Sequence, residues 1–335
     1  MCALPRLRSS SDRHLPRQQS ILVLLGPTAS GKTAVSIPLA QRLDAEILSA
    51  DSRQVYKLLD IGTAKPTEVD RRKVKHYFVD EIMPEDHFDA AEFGDKGRMI
   101  IEDIFHRGKT PIVVGGSGLY IQGLVDGFFD GPPADAEIRK QLERRIAEEG
   151  AGVLLEELRR VDPVSASRMH EGFHRRIVRA LEVYHLTGIP ISRLQEKRVE
   201  IKFRKVLVGL EWPRALLYRR INERVDRMIA GGLIEEVGRL KDLGYSTQQK
   251  GLQTTGYAEV FPYLDGKISR DKMIELVKRN TRRYAKRQLT WFRHDERIHW
   301  VRVDDEAQFA GVAMTIYEYF QRQREGNDAE LNPDA

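Results

Sequence analysis

The chain has a single cysteine, Cys2, in 335 residues. That excludes an intramolecular disulfide framework and any cysteine-ligated structural zinc, and it fits a reducing compartment. No apolar run approaches the roughly 18 residues that cross a bilayer, so the protein reads as soluble and cytoplasmic, with no membrane partner. Excess charge is scarce as well: the formal net charge is +5, and residues 1–19, with Arg6, Arg8, Arg13 and Arg17 against Asp12, supply +3 of it. The remainder is nearly balanced, so only local clusters can argue for a nucleic-acid partner. The leader lacks the apolar centre of a secretion signal and reads as disordered, with an organelle transit peptide as the alternative. Two diagnostic motifs are also missing: the Asn-Lys-x-Asp of guanine-specific GTPases and the paired Asp-Asp-x-x-Asp of all-helical prenyltransferases.

What is present is a phosphate loop. Gly26-Pro27-Thr28-Ala29-Ser30-Gly31-Lys32-Thr33 completes G-x-x-x-x-G-K-[ST] directly after the apolar run Ile21–Leu25. A buried strand then delivers the chain to a Gly-rich turn, whose backbone N–H groups wrap an anion at the positive end of the following helix. Lys32 reaches the outer phosphate, and the Thr33 hydroxyl suits Mg2+.

The expected fold is α/β: a P-loop NTPase-like parallel sheet flanked by helices, with an inserted helical domain. Residues 46–50, 77–79 (the least secure), 111–114, 205–210 and 298–301 read as further strands. Helices are expected over 34–43, 136–149, 153–160 and much of 213–243. The catalytic domain is then 20–130 with 203–322, the insert 131–202, and 323–335 a disordered tail. With 41% hydrophobic residues the chain has enough apolar text for such a core.

Asp51 follows a strand at the sheet edge where the phosphate loop opens, which is where ligands of such sheets bind. Its position fits a general base and equally an Asp capping the next turn. The strand ending in Gly115-Gly116 offers no metal-holding Asp, and Asp80 after Tyr77-Phe78-Val79 is a substitute. Lys278, Arg279, Arg282, Arg283, Lys286, Arg287 and Arg293 occupy one acid-free stretch with Tyr284, Trp291 and Phe292 between them. Such a stretch suits a phosphate backbone, or is a solvated face with acidic partners elsewhere. His174-Arg175-Arg176-Ile177-Val178-Arg179 forms a second basic cluster, and two clusters flanking one pocket favour RNA.

These segments, together with Asp51–Tyr56, Asp60–Pro66, Gly115–Tyr120, Arg175–Glu182 and Ala285–Phe292, resemble the tRNA dimethylallyltransferases over about residues 20–322. The single cysteine matches the bacterial form, without the zinc-finger extension of eukaryotic members. The resemblance implies that residues 26–33 bind the diphosphate of dimethylallyl diphosphate, with Mg2+ on Thr33. The acceptor is then N6 of adenosine 37, next to the anticodon in the tRNA anticodon stem-loop. Asp51 matches the family's base. Ser117 and Arg139 match positions contacting substrate near the reaction centre. Asp51, Ser52, Arg53 and Gln54, then Arg175, Arg176, Ile177, Val178 and Arg179, then Gly256 and Tyr257, match tRNA-contacting stretches; Arg282, Arg283, Lys286 and Arg287 join them as the basic helix. Ser117 is more often Thr in the family, and Ala258 more often basic. A monomer is expected. The alternative is a phosphate-loop small-molecule kinase, which would use the loop for ATP and leave the basic helix without a purpose; a non-catalytic RNA-binding module would leave Lys32, Thr33 and Asp51 unexplained.

Overall fold

A computed structural model of the chain describes residues 19–129, 131–196 and 199–325. The leader through residue 18 and the tail from residue 326, both expected to be disordered, lie outside the described residues. Six strands form one parallel sheet: β1 (Ser20–Leu25), β2 (Ala45–Ala50), β3 (His76–Tyr77), β4 (Thr110–Gly115), β5 (Arg204–Glu211) and β6 (Ile298–Arg302), in the order β3-β2-β4-β1-β5-β6. The helices before β5 are α1 (Lys32–Arg42), α2 (Glu68–Lys73), α3 (Ala90–His106), α4 (Gly118–Val125), α5 (Ala136–Glu149), α6 (Ala151–Val161), α7 (Pro163–Ala166), α8 (His174–Thr187) and α9 (Ile191–Leu194). After it come α10 (Arg214–Ala230), α11 (Leu233–Asp242), α12 (Val260–Leu264), α13 (Arg270–Phe292) and α14 (Phe309–Glu325). Residues 323–325, assigned to the tail from the sequence, are therefore helical. No helix among the described residues is long and apolar enough to cross a membrane.

The continuous apolar text of β1 is explained by its place between β4 and β5, where both faces are covered. Ile21, Leu22, Val23, Leu24 and Leu25 are at most 1% exposed, and each contributes on the order of 1.5–3 kcal/mol of burial. On one face Leu22 and Leu24 join Val35 and Leu39 of α1, Leu217 and Ile221 of α10, and Ile316 and Phe320 of α14 in a single cluster. Phe78, Phe88, Phe93 and Tyr120 form an aromatic group, with neighbouring ring centroids 4.8–6.1 Å apart.

β3 corrects the expected third strand. It stops at Tyr77, because Phe78 and Asp80 adopt left-handed φ of 61° and 60°. The turn carries the Phe78 ring into the aromatic group. Asp80 accepts from Lys65 and Arg71 and so is not a free metal ligand.

By internal contacts, the described residues up to Ile121 and from Phe203 onward form one compact unit, and those within Gln122–Lys202 a second, starting inside α4 and ahead of the boundary at 131 read from the sequence. The second unit has its own core, which includes Leu142, Leu154, Leu158, Ile177 and Leu181. Within it, fully buried Glu182 accepts from Arg139 (2.8 and 3.0 Å), Arg179 (2.7 Å) and the Asp135 N–H (2.7 Å). Burial opposes ionisation there, but the Arg139 and Arg179 hydrogen bonds prevail and hold the carboxyl below its ordinary range. A depressed carboxylate pKa stabilises the fold at neutral pH, and that contribution is lost as pH falls through it. Glu182→Ala should therefore cost about 1–3 kcal/mol at pH 7 in denaturant unfolding, since it removes a buried acceptor from two guanidiniums that solvent reaches in part. A loss under about 1 kcal/mol would show that water satisfies them.

Candidate active site

The carboxyl ends of β1, β2, β4 and β5 converge on one crevice, the place where open parallel sheets bind ligands. β1 feeds the phosphate loop, β2 feeds Asp51, β4 feeds Gly115–Ser117, and β5 feeds Trp212. The crevice contains a cleft of about 500 Å3 lined by Thr28, Gly31, Lys32, Thr33, Asp51 and Gly116 from these turns, and by side chains of α10 and α13.

The loop is shaped as an anion cradle. Its helix, α1, starts from left-handed Gly31 (φ 88°) with no side-chain cap and no acid in its first turn, so its terminal N–H groups and positive dipole end stay unneutralised. A Cβ on Gly31 would lie 2.2 Å from the Phe309 ring, so glycine is required for space as well as for φ. The loop carbonyls are tied by side chains. Lys32 Nζ donates to the carbonyls of Gly26 (3.0 Å) and Pro27 (2.8 Å), Arg220 Nε to Ala29 (2.9 Å) and Trp212 Nε1 to Ser30 (3.0 Å). Burial pushes the Lys32 ammonium down to about 7; Asp51 opposes this and Arg224 adds to it. A lysine so destabilised as a cation awaits a compensating anion.

Asp51 closes β2, and its Oδ1 accepts from the Arg53 N–H at 2.9 Å, so the cap geometry and the cleft position coexist in one side chain. Ser52 N–H donates to Ser117 Oγ (3.0 Å), and Ser117 N–H to the Ala50 carbonyl (3.1 Å). Arg53 reaches the Lys250 carbonyl at 2.7 Å. Gln54 accepts from Ser49 Oγ (2.8 Å) and donates to the carbonyls of Thr63 and Ala64 at 3.4 and 3.3 Å, holding the Asp60–Pro66 turn beside the cleft.

Other residues proposed from the sequence have surroundings of their own. Arg139 and Arg179 belong to the second unit, bonded to Glu182, while Arg175 and Arg176 are exposed there. Ile177 and Val178 are 0% and 5% exposed and pack in that unit's core, so their side chains are corrected from tRNA contacts to core residues. Tyr257 is corrected likewise. It is fully buried, donates to Glu236 at 2.5 Å, and accepts from the Gly62 N–H, while buried Gly256 donates its N–H to Glu259. Glu236 also accepts from the N–H groups of Asp60, Ile61 and Gly62, so Tyr257 and Glu236 anchor the Asp60–Pro66 turn. On α13, Lys278 pairs with Asp226 and Arg282 with Asn222, both on α10, whereas Arg283, Lys286 and Arg287 are exposed.

Three arginines that sequence reading did not single out line the cleft: Arg220, Arg224 and Arg227. They repeat at i, i+4 and i+7 along α10 and so share a face. Burial holds the Arg224 guanidinium below its ordinary range, with Asp51 opposing. Tyr284 and Gln288 of α13 complete the wall. Burial pushes the Tyr284 phenol up to about 12, so it stays protonated, and it is hydrogen-bonded with Ser117. The cleft thus brings Lys32, Arg220, Arg224 and Arg227 to the same space as Asp51, an arrangement suited to a polyanionic ligand undergoing chemistry next to a base.

Comparison with known proteins agrees with this geometry. Residues 54–295 match the family described as IPP transferase. A tRNA dimethylallyltransferase of Geobacillus thermodenitrificans is 46% identical over 303 residues, covering 90% of this chain and 96% of that protein. The crystal structure of the full-length tRNA isopentenylpyrophosphate transferase of Bacillus halodurans aligns with a TM-score of 0.69 at 38% identity, over 92% of this chain and 98% of that one. A eukaryotic dimethylallyltransferase caught acting on tRNA aligns with a TM-score of 0.76 at 29% identity, over 91% and 80% of the two chains. By its sequence, its parallel sheet and the content of its cleft, the chain belongs to the IPP transferase family.

Proposed function

We propose that the protein transfers the dimethylallyl group of dimethylallyl diphosphate to N6 of adenosine 37 in tRNA, releasing diphosphate, and that it does so in the cytoplasm. The observation that carries this reading is that an anion cradle, Lys32 with the uncapped start of α1, and the Asp51 carboxylate line one cleft. The allylic C1–O bond breaks as the N6 lone pair forms a C1–N bond, and the electron pair leaves with the diphosphate. Lys32, Arg220 and Arg224 stabilise the charge gathering on that leaving group. The N6 amine is a weak nucleophile, and Asp51 takes its proton as the bond forms. The adenine must leave its stack to enter the cleft, at a cost of a few kcal/mol, which exposed Arg283, Lys286 and Arg287 help to offset through phosphate contacts.

The residues present fit Mg2+. Thr33 and Asp51 offer hard oxygens to the same cleft. Among the described residues no three His, Cys, Asp or Glu side chains cluster into a preformed cage, so the ion would be held by Thr33, diphosphate oxygens and water, its usual manner beside a polyphosphate. When bound it would neutralise charge on the leaving diphosphate.

The test is to incubate the protein with unmodified tRNA, Mg2+ and dimethylallyl diphosphate, digest the RNA, and search by mass spectrometry for adenosine carrying one isopentenyl unit. Its appearance at a single position establishes donor, acceptor and reaction together. Its absence, with ATP turned over on a small acceptor, would move the protein to the kinases.

A further inference from the structure

We propose that Gln288 is a positioning residue for the diphosphate, acting through the phosphate loop; this rests on the loop being the diphosphate site. Gln288 carries no charge, yet it is 7% exposed and spends both ends of its amide on the catalytic turns. Its Oε1 accepts from the Thr28 N–H at 2.9 Å, and its Nε2 donates to the Gly116 carbonyl at 2.8 Å. One side chain thereby ties the turn after β1 to the turn after β4. A primary amide presents an acceptor and a donor side by side in a fixed plane at any pH, which this bridge demands and an ionised carboxylate cannot supply.

The surroundings are built for it. A Cβ on Gly116 would lie 2.3 Å from Gln288 Nε2, so the glycine makes room for the bridge. One helical turn earlier Tyr284 bonds with Ser117, and three residues later Trp291 lies where a Cβ on Gly118 would meet it at 2.3 Å. Residues 284, 288 and 291 form one face of α13 and meet residues 117, 116 and 118 respectively. The loop needs such support, because Ala29, next to Thr28, is held at a left-handed φ of 65° without being glycine. Strain of this kind persists only where the surrounding structure over-determines the backbone. The rest of α13 directs Arg283, Lys286 and Arg287 to solvent, so one helix carries cations on its outside and the loop's support on its inside.

The experiment measures the affinity of dimethylallyl diphosphate without tRNA, and of tRNA without donor, for the full chain and four variants. Gln288→Met keeps length and loses both bonds; donor affinity should fall about tenfold and tRNA affinity stay within about twofold. Gln288→Glu keeps the acceptor but sets a carboxylate against the Gly116 carbonyl, and at pH 8 donor affinity should fall about thirtyfold. Lowering the pH to 6 should restore it to within about threefold of the parent at the same pH, because a protonated carboxyl both accepts and donates and burial raises its pKa. Gly116→Ala displaces the amide by contact and should reproduce the Gln288→Met loss, which decides the matter even if Gln288→Met folds poorly. Lys32→Ala is the control. Parental donor affinity in the Gln288 and Gly116 variants, with affinity lost in Lys32→Ala, would overturn the role of Gln288 alone; equal losses of donor and tRNA affinity would overturn it too, as a general packing role. Undiminished donor binding by Lys32→Ala would instead remove the diphosphate from the loop.

Discussion

Asp51→Asn lowers the rate of prenyl transfer by roughly 10²–10⁴-fold, the scale of a lost general base, while tRNA affinity stays within about threefold because the backbone and the cationic surfaces are untouched. Asparagine is the informative replacement. Its Oδ1 can still accept from the Arg53 N–H, so the turn after β2 keeps its shape and only the proton-accepting charge is lost. One indirect effect must be separated. Asp51 supports the Lys32 cation against burial, so its removal drives Lys32 still further below its ordinary pKa and weakens donor binding at high pH. Single-turnover rates at pH 6.5 with saturating donor remove that contribution, since there the bound diphosphate and the solution pH both keep Lys32 protonated. A rate within about threefold of the parent under those conditions would take Asp51 out of the proton transfer and leave it as a turn cap.

The parts of this site legible in the sequence are those with local causes. An apolar run followed by G-x-x-x-x-G-K-T dictates strand, anion loop and helix within fourteen residues, Ser20–Thr33, and the structure has all three. The remaining strands except the third announced themselves by composition. β3 was read at 77–79 but spans only His76–Tyr77, because Phe78 is apolar for an aromatic cluster rather than for a ladder and its left-handed backbone breaks the extension. Ile177 and Val178 came in with the Arg175–Arg179 stretch as a whole, whereas the helical period of α8 sets their side chains beside Leu181 on the inner face. Arg220, Arg224 and Arg227 escaped notice because Glu223 and Asp226 are interleaved with them in the text; the helix sorts the arginines onto the cleft face, which an acid-free criterion cannot do. Tyr257 and Gln288 were beyond reach from sequence. Tyr257 depends on Glu236, 21 positions away, and Gln288 on Thr28, 260 positions away, and no local pattern marks either partnership.

Lys32→Met should slow transfer by roughly 10²–10³-fold, as expected when a cation aimed at developing charge on a leaving group is removed. The same variant should abolish a proton uptake that the parent shows on binding its donor. In the free cleft burial holds Lys32 down to about 7, so at pH 8 most molecules carry it neutral. Diphosphate is an opposite charge at close range and raises that pKa. Between the free and bound values, binding therefore draws a proton from solution, and affinity falls with rising pH by up to about tenfold per unit above pH 7. The sign is the reverse of what an acidic group with a depressed pKa would give. Calorimetric titration of dimethylallyl diphosphate, without tRNA, in two buffers of different ionisation enthalpy at pH 8 reads the uptake directly: about one proton for the parent. Equal uptake in Lys32→Met would assign the proton to another group, and no uptake in the parent would mean that the loop lysine is already charged before its anion arrives. In that case burial, with Arg224 adding to it, would not suffice to depress the lysine against Asp51, and the diphosphate would be recognised by a site charged in advance rather than by one that charges as it binds.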